Sequence, residues 1–527
     1  MKKLGLGIQE LSKFKENGYI YVDKTKIIHQ LLKESGYYFL SRPRRFGKSL
    51  LVNTIKEIFK GSKELFEDTW IYDKWDWKEK TPVIKISFSS ISYRSLGLEE
   101  ALEQHFNGLA TEYNYKYRLA TDYAGKFVEL IKHLGKENGV AILIDEYDKP
   151  IIDFLEKPKR EIAQKNKDIL KNLYSGIKDC DAYIRLLFIT GVSKFSRVSI
   201  FSELNNLRDI TLSEDYSTIT GYTEEEILHY YKDYVKQLEN KLGIDKKRLL
   251  SAMQLWYNGY SWDAENFVYN PFSILNLFAE KNFGNYWFKS GTPTFLTKLI
   301  KEQNIEVENY DEPNFVVNDV AFDSYDIENI DLNVLLFQTG YLTIKEKYID
   351  PEYFSVSYKI AYPNKEVRDS FYNFLIAEYT EIEKTKFALI VNNLKSSLEE
   401  NKIDEFILII KSLFARIPYE IFIKNAESYY HTIIYLILKL MGVKVFVERY
   451  TNRGRIDAVI ETKKYVFIIE FKLEDAKSAI KQLKEKKYYE QYLNDKRTVY
   501  NIGIAFDTKE RNIKEYIVKT IDELKEI

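Results

Sequence analysis

At 527 residues the chain exceeds what one hydrophobic core can organise, since single cores stop growing at roughly 250–300 residues, so several domains are expected. Hydrophobic residues at 45% are enough for buried cores, and charged residues at 30% nearly cancel to a net charge of −1, which excludes a globally basic nucleic-acid binder and leaves any basic surface local. Cys180 is the single cysteine and the five histidines are scattered, which excludes a disulfide framework and a cysteine-based metal site.

The first residues, Met1-Lys2-Lys3, are not followed by an apolar signal core, and no run of about 18 apolar residues occurs. A soluble, cytoplasmic protein with no membrane association is therefore expected. A short lead and a helix from Lys24 to Lys33 open the chain. Tyr37 to Leu40 then reads as a strand, Ser41-Arg42-Pro43-Arg44-Arg45-Phe46 as a basic loop, and Gly47-Lys48-Ser49 opens a segment with apolar residues at 50, 51, 55, 58 and 59, which is helical spacing. Strand, loop, Gly-Lys-Ser and helix is the setting of a phosphate-binding loop. Backbone N–H groups and the helix N-terminus face an anion, Lys48 reaches the outer phosphates, and the Ser49 hydroxyl ligates Mg²⁺. The usual first glycine is replaced by Arg42, and Arg42, Arg44 and Arg45 are expected to compensate with charge.

Pro82 to Phe88 alternates as a strand, and helices are expected over about 97–119 and 122–135. Gly139 to Ile144 is a buried apolar strand with Asp145 and Glu146 at its tip. In phosphate-loop enzymes the first acid holds Mg²⁺ and the second polarises the attacking water. Two acids also end many core strands; their pairing with Lys48 favours the catalytic reading. After a polar helix over 160–179, Tyr183 to Gly191 forms another buried strand, ending in Thr190 and Ser193 where a γ-phosphate would be sensed. Arg197 and Arg208 either reach a phosphate or cap the surface. This alternation predicts a mostly parallel α/β sheet with ligand at the carboxyl ends of its strands.

Residues 216–300 read as mainly helical, with a helix start at Thr223, and 301–330 as an acidic, loop-rich stretch. Leu335 to Ile344 and Tyr353 to Tyr362 read as strands of a small winged-helix-like unit. Helices return over 363–425. Glu427 to Leu440 reads as a buried helix, followed by strands from Lys444 to Tyr450, Arg455 to Glu461 and Tyr465 to Leu473, a lysine-rich helix from Asp475 to Leu493, and a last strand from Val499 to Phe506. Asp457 stands on the middle of those three strands. Glu470 and Lys472 stand two apart on the next, so alternation puts them on one face of an apolar run. Placing an acid and a lysine there is costly without partners. Asp457 and a divalent cation would supply them, and two carboxylates on Mg²⁺ with a lysine beside the attacking water is a layout for phosphodiester hydrolysis. Glu427 offers a third carboxylate, and Gln482, Lys486 and Tyr488 are candidates for substrate contact. A buried structural ion pair is the competing reading.

Asp457, Glu470-Phe471-Lys472, and the flanking helices with Glu427 and Gln482 resemble the PD-(D/E)XK nuclease core, with Ile456 where that name has its proline. The front, through Tyr21-Val22-Asp23-Lys24-Thr25, the phosphate loop, Asp145-Glu146-Tyr147-Asp148 and Thr190 to Ser196, is similar to the AAA-type ATPases fused to such nucleases in bacteria and archaea. Trp256-Tyr257-Asn258-Gly259-Tyr260 and Ser290 to Leu296 fit the same family. The resemblance implies a phosphate-loop ATPase domain over 1–215, a helical and winged-helix-like region over 216–375, and a PD-(D/E)XK-like α/β domain over 376–527. It implies ATP and Mg²⁺ as cofactors and nucleic acid, DNA before RNA, as partner, and it leaves a homo-oligomer open. Gly47, Lys48, Ser49, Arg44, Arg45, Asp145, Thr190 and Ser193 would bind nucleotide; Glu146, Asp457, Glu470, Lys472 and Glu427 would serve catalysis; Ser49, Asp145, Asp457 and Glu470 would hold metal. The alternative is a nucleotide-operated switch or nucleic-acid-binding regulator without nuclease turnover.

Overall fold

The computed structural model describes residues 1–34, 36–194, 201, 204–288, 310–311, 315–318, 322, 331–380, 382, 384–416, 426–441, 444–451, 454–473, 475–507 and 509–526; within these, the side chains of 157, 378–380, 384–385, 426–432, 444–445, 447–451 and 454–455 are not described. The chain divides into two compact units, one built from residues up to Arg368 and one from Asp369 onward. Among the described residues no helix is long and apolar enough to cross a membrane.

In the first unit β1 (Gly36–Ser41), β2 (Val83–Ser87), β3 (Val140–Asp145), β4 (Ile184–Gly191) and β5 (Leu207–Asp209) form one parallel sheet in the order β2-β3-β4-β1-β5. Every residue of β3 is buried, because helices cover both faces of a parallel sheet and a strand inside it reads as an unbroken apolar run. Leu31, Ile55 and Phe59 from the helices Thr25–Glu34 and Lys48–Lys60 pack on Tyr38, Leu40, Leu143 and Phe188. The carboxyl ends of β1, β4 and β3 thus lie side by side, with β4 in the middle.

The expected helical segment follows. Thr223 Oγ1 accepts from the Glu226 N–H and the Glu226 carboxylate from the Thr223 N–H, so the helix Glu224–Tyr230 begins at a capping box. The same carboxylate takes the Lys24 ammonium at 2.6 Å, fastening this segment to the front of the chain. Helices Lys232–Leu242, Lys246–Tyr257 and Pro271–Glu280 share a core with Ile20 and Val22.

Leu335 to Ile344 is not one strand, contrary to expectation. Leu332–Thr339 is a helix whose first N–H groups are capped by Asp331 and which ends at Gly340 in the left-handed region. Nearly all its residues are buried, so it has no polar stripe, and an apolar run without periodicity reads equally as strand. β6 (Phe315–Asn318), β7 (Thr343–Ile349) and β8 (Val356–Ala361) form an antiparallel sheet in the order β6-β8-β7. Most of the acidic 301–330 stretch, and the whole of Ser290 to Leu296, lie outside the described residues.

The second unit holds helices Lys384–Glu399, Ile403–Phe414 and Ala426–Leu440 and a sheet ordered β13-β12-β11-β10-β9, with β9 (Lys444–Thr451), β10 (Gly454–Glu461), β11 (Tyr465–Lys472), β12 (Thr498–Asp507) and β13 (Asn512–Thr520). Only β11 and β12 run parallel among these neighbours. A parallel pair needs a crossover, and the helix Ala476–Lys486 supplies it. Gly503 on β12 permits its approach, since a Cβ there would stand 2.7 Å from the Ala476 carbonyl oxygen. The single helix expected from Asp475 to Leu493 stops at Lys487, which takes φ 49°, and continues as a 3-10 turn over Tyr488–Tyr492. Val499 to Phe506 is not the last strand: β13 follows, at the edge of the sheet.

Candidate nucleotide cleft and candidate nuclease site

At the carboxyl ends of β1 and β3 a cleft of about 310 Å³ opens over the phosphate loop. Gly47 holds φ 93° ahead of the helix Lys48–Lys60, a conformation a residue with a Cβ rarely adopts, and this turns the helix N-terminus toward the cleft. The Lys48 ammonium donates to the Arg42 and Pro43 carbonyl oxygens at 2.8 and 2.9 Å, inside the loop. Burial lowers its pKa, and the charges of Glu146, Asp145 and Asp148 raise it again.

Arg42 does not compensate with charge for the missing glycine. Its side chain is fully buried, donates to the Ser41, Thr211 and Tyr216 carbonyl oxygens, and stacks at 3.9 Å on the Trp262 ring. Phe46 packs edge-on against Tyr260 and Trp262 at 4.7 and 5.6 Å. The loop is thus held from the core side by two of its own side chains. Arg44 and Arg45 line the cleft, and the Arg45 guanidinium lies 5.1 Å from the Phe272 ring.

At the tip of β3, Asp145 is buried beside Ser49, and its Oδ1 has no hydrogen-bond partner among the described residues. Burial pushes this carboxyl above its ordinary range, opposed by the Ser49 hydroxyl. Glu146, at φ 54°, turns its side chain into the cleft. Thr190 is buried at the neighbouring tip of β4 with Oγ1 likewise unpartnered. Asp148 Oδ2 accepts from the Val192 N–H, the Ser193 N–H and the Ser193 hydroxyl at 3.0, 2.6 and 2.6 Å.

In the second unit the β10–β11 register sets Ala458 opposite Ile469, which places Asp457 and Glu470 side by side on one face. Asp457 Oδ2 accepts from the Phe471 N–H at 2.8 Å. Glu470 is 1% exposed; its Oε1 accepts from the Lys472 ammonium at 3.2 Å and from the Gln482 amide. Its Oε2 is buried with no partner among the described residues. Burial, then the negative charge of Asp457, pushes the Glu470 carboxyl well above the ordinary range, with Lys472 pulling the other way. Tyr488 bonds Gln482 in turn.

Residues 5–201 match the family described as Predicted AAA-ATPase, and residues 425–516 match the PD-(D/E)XK nuclease superfamily. An uncharacterized protein in the vnfD 5' region of Azotobacter chroococcum mcd 1 is 36% identical over 533 residues, covering 99% of both chains. The chain belongs to this family of predicted AAA-ATPases with a C-terminal PD-(D/E)XK nuclease domain. No solved structure matches it.

Within the AAA-ATPase domain, Arg44, Arg45, Gly47, Lys48, Ser49 and Glu146 meet at one cleft, and Asp145 joins them through Ser49. Thr190 and Ser193 are not among its lining residues, and the Ser193 hydroxyl donates to Asp148, which is. Arg208 pairs with Glu34 on the surface at 2.9 Å, and Arg197 lies outside the described residues. In the nuclease domain Asp457, Glu470, Lys472 and Gln482 converge, with Tyr488 behind Gln482. Lys486 is exposed in the last turn of its helix and touches none of the carboxylates. Glu427 lies on the helix Ala426–Leu440, with its side chain outside the described residues. Among the described residues no three acidic, histidine or cysteine side chains cluster to hold a metal, so Asp457 and Glu470 stand as a pair.

Three contributions escaped sequence reasoning. Asp148 was visible only as one acid in a motif. The lead segment reaches the cleft through Gly5, Gly7, Ile8 and Gln9, signalled by nothing stronger than two glycines. Tyr222 and Phe272 reach it from the helical segment, and their distance in sequence gave no sign of that.

Proposed function

We propose that this protein binds and hydrolyses ATP in its first unit and cleaves nucleic acid, DNA before RNA, with Mg²⁺ in its second. The domain limits that go with this reading are 1–215 for the ATPase, 216–375 for the helical and winged-helix-like region, and 376–527 for the nuclease. The observation that carries it is the same in both units: a buried carboxylate oxygen, Asp145 Oδ1 or Glu470 Oε2, has no hydrogen-bond partner among the described residues. Such an atom is costly to bury unless something completes it. Ser49 with Asp145, and Asp457 with Glu470, are hard oxygen donors of the kind Mg²⁺ prefers, with water filling the other positions. When bound, Mg²⁺ supplies charge stabilisation to a phosphate oxygen. In the cleft, Lys48 neutralises the outer phosphates, the backbone N–H groups around Gly47 hold them, and Glu146 orients water. In the nuclease site, Lys472 balances charge at the scissile phosphate, and Gln482 fixes the Glu470 carboxylate.

The commitment of Ser193 to Asp148 favours a second reading, in which ATP is bound as a switch and turned over slowly. One assay separates the two. Purified protein is given labelled DNA and RNA with Mg²⁺, with and without ATP, and phosphate release is followed in parallel. Cleavage that needs Mg²⁺, together with phosphate release, supports the first reading. ATP binding without either supports the switch.

A further inference from the structure

One buried carboxylate outside the phosphate loop has two routes to the nucleotide cleft. Glu366 stands in the first turn of the helix Lys365–Thr380 and is fully buried. Its Oε1 accepts from the Tyr286 and Trp287 N–H groups at 2.5 and 2.7 Å, and its Oε2 from the Ser273 hydroxyl at 2.6 Å. Ser273 belongs to the helix Pro271–Glu280, which sets Phe272 and Leu275 in the cleft wall. The Trp287 indole N–H donates to the Arg44 carbonyl oxygen, in the phosphate loop itself, at 3.1 Å. The same carboxylate therefore fixes a wall of the cleft and, through one indole, the backbone of the loop.

We propose that Glu366 is a positioning residue for nucleotide binding, acting on the phosphate loop through Trp287 and on the cleft wall through Ser273. This rests on the reading of the cleft as an ATP site. Loop N–H groups bind phosphate well only when held in place beforehand, and preorganisation of this kind raises affinity by lowering the ordering cost on binding. A carboxylate is costly to bury without a cation. Its three donors, and its place at the positive end of a helix, offset part of that cost here.

The test is calorimetric titration of the full chain with a non-hydrolysable ATP analogue, using wild type, Trp287→Phe, Glu366→Ala and Glu366→Gln. Phenylalanine keeps a ring beside Tyr341, 5.3 Å away in the native protein, and removes the N–H to the loop together with part of the indole's packing. Trp287→Phe should weaken binding about three- to tenfold, the worth of one hydrogen bond. Glu366→Ala should weaken it at least as much. Glu366→Gln should restore it, since the amide oxygen accepts both backbone N–H groups and the amide nitrogen donates to Ser273. The emission that differs between wild type and Trp287→Phe should shift when the analogue binds, and that shift should be lost in Glu366→Ala. Unchanged affinity in Trp287→Phe overturns the proposal, as does Glu366→Gln binding no better than Glu366→Ala. If Glu366→Ala does not fold, Trp287→Phe and Glu366→Gln decide alone. A wild-type protein that binds no nucleotide refutes the ATP site itself, a different outcome from a wild type that binds and a Trp287→Phe that binds equally.

Discussion

The buried Lys48 ammonium donates to two carbonyl oxygens of its own loop, at 2.8 and 2.9 Å, and burial lowers its pKa against the opposing charges of Glu146, Asp145 and Asp148. An incoming phosphate can take over those bonds, so Lys48→Ala should weaken ATP binding about ten- to hundredfold, the range for hydrogen bonds to charged groups. Titration with a fluorescent ATP analogue checks it, and unchanged affinity would refute the phosphate-loop assignment. Glu146 lines the cleft at φ 54°, and in the proposed reading it orients the attacking water. Glu146→Gln should keep ATP affinity and slow steady-state phosphate release by about 10²–10⁴-fold, as expected for loss of a general base. Equal turnover would assign the water to another group. These residues were legible from sequence because a lysine, or an acid at the tip of an apolar strand, stands out from its surroundings. Arg42 and Ser193 were not. Where their side chains turn is decided by Thr211, Tyr216, Trp262 and Asp148, remote partners that a sequence does not place.

The phosphate loop keeps its shape without its usual first glycine because Arg42 and Phe46 anchor it to the aromatic stretch around Tyr260 and Trp262. Arg42→Ala would remove the guanidinium bonds to the Ser41, Thr211 and Tyr216 carbonyl oxygens, of which Tyr216 keeps the Ile219 N–H, and would leave a void beside Trp262. It should destabilise the first unit by about 3–5 kcal/mol, as removal of a buried hydrogen-bonded charge does. Denaturant unfolding measures this, and a variant as stable as wild type would show that Arg42 is not a structural anchor. Strands and helices with a clear period were legible, including the parallel sheet and the β10–β11 pair that carries Asp457 and Glu470. Leu332–Thr339 was not, being buried nearly all round and so without a period. The break after Lys486 was missed because the lysine-rich pattern runs on past it, while Lys487 leaves the helical region.

Glu366 links distant parts of the first unit, and its ionisation should be visible in the stability of the protein. Burial pushes its carboxyl from 4.5 up to about 7, with Ser273 and the N–H groups of Trp287 and Tyr286 acting in the opposite sense. Between these values the native protein keeps a proton that the unfolded chain has released, so this group's contribution to stability is lost as pH rises through about 7. Glu366→Gln cannot titrate. Its stability relative to wild type should therefore rise by up to about 3 kcal/mol from pH 4.5 to 7.5, measured by denaturant unfolding at both ends, and a difference independent of pH would contradict the burial argument. The two candidate sites, by contrast, lie in different units, each built on its own sheet. The most direct measurement is the rate at which wild type and Glu470→Ala cut labelled DNA in Mg²⁺, with ATP-analogue binding followed on the same samples. Wild type should cut and lose that activity to a chelator, and Glu470→Ala should be at least about 10²-fold slower with ATP binding intact. Equal cutting by the two proteins, or a wild type that cuts no nucleic acid, would contradict the nuclease site described.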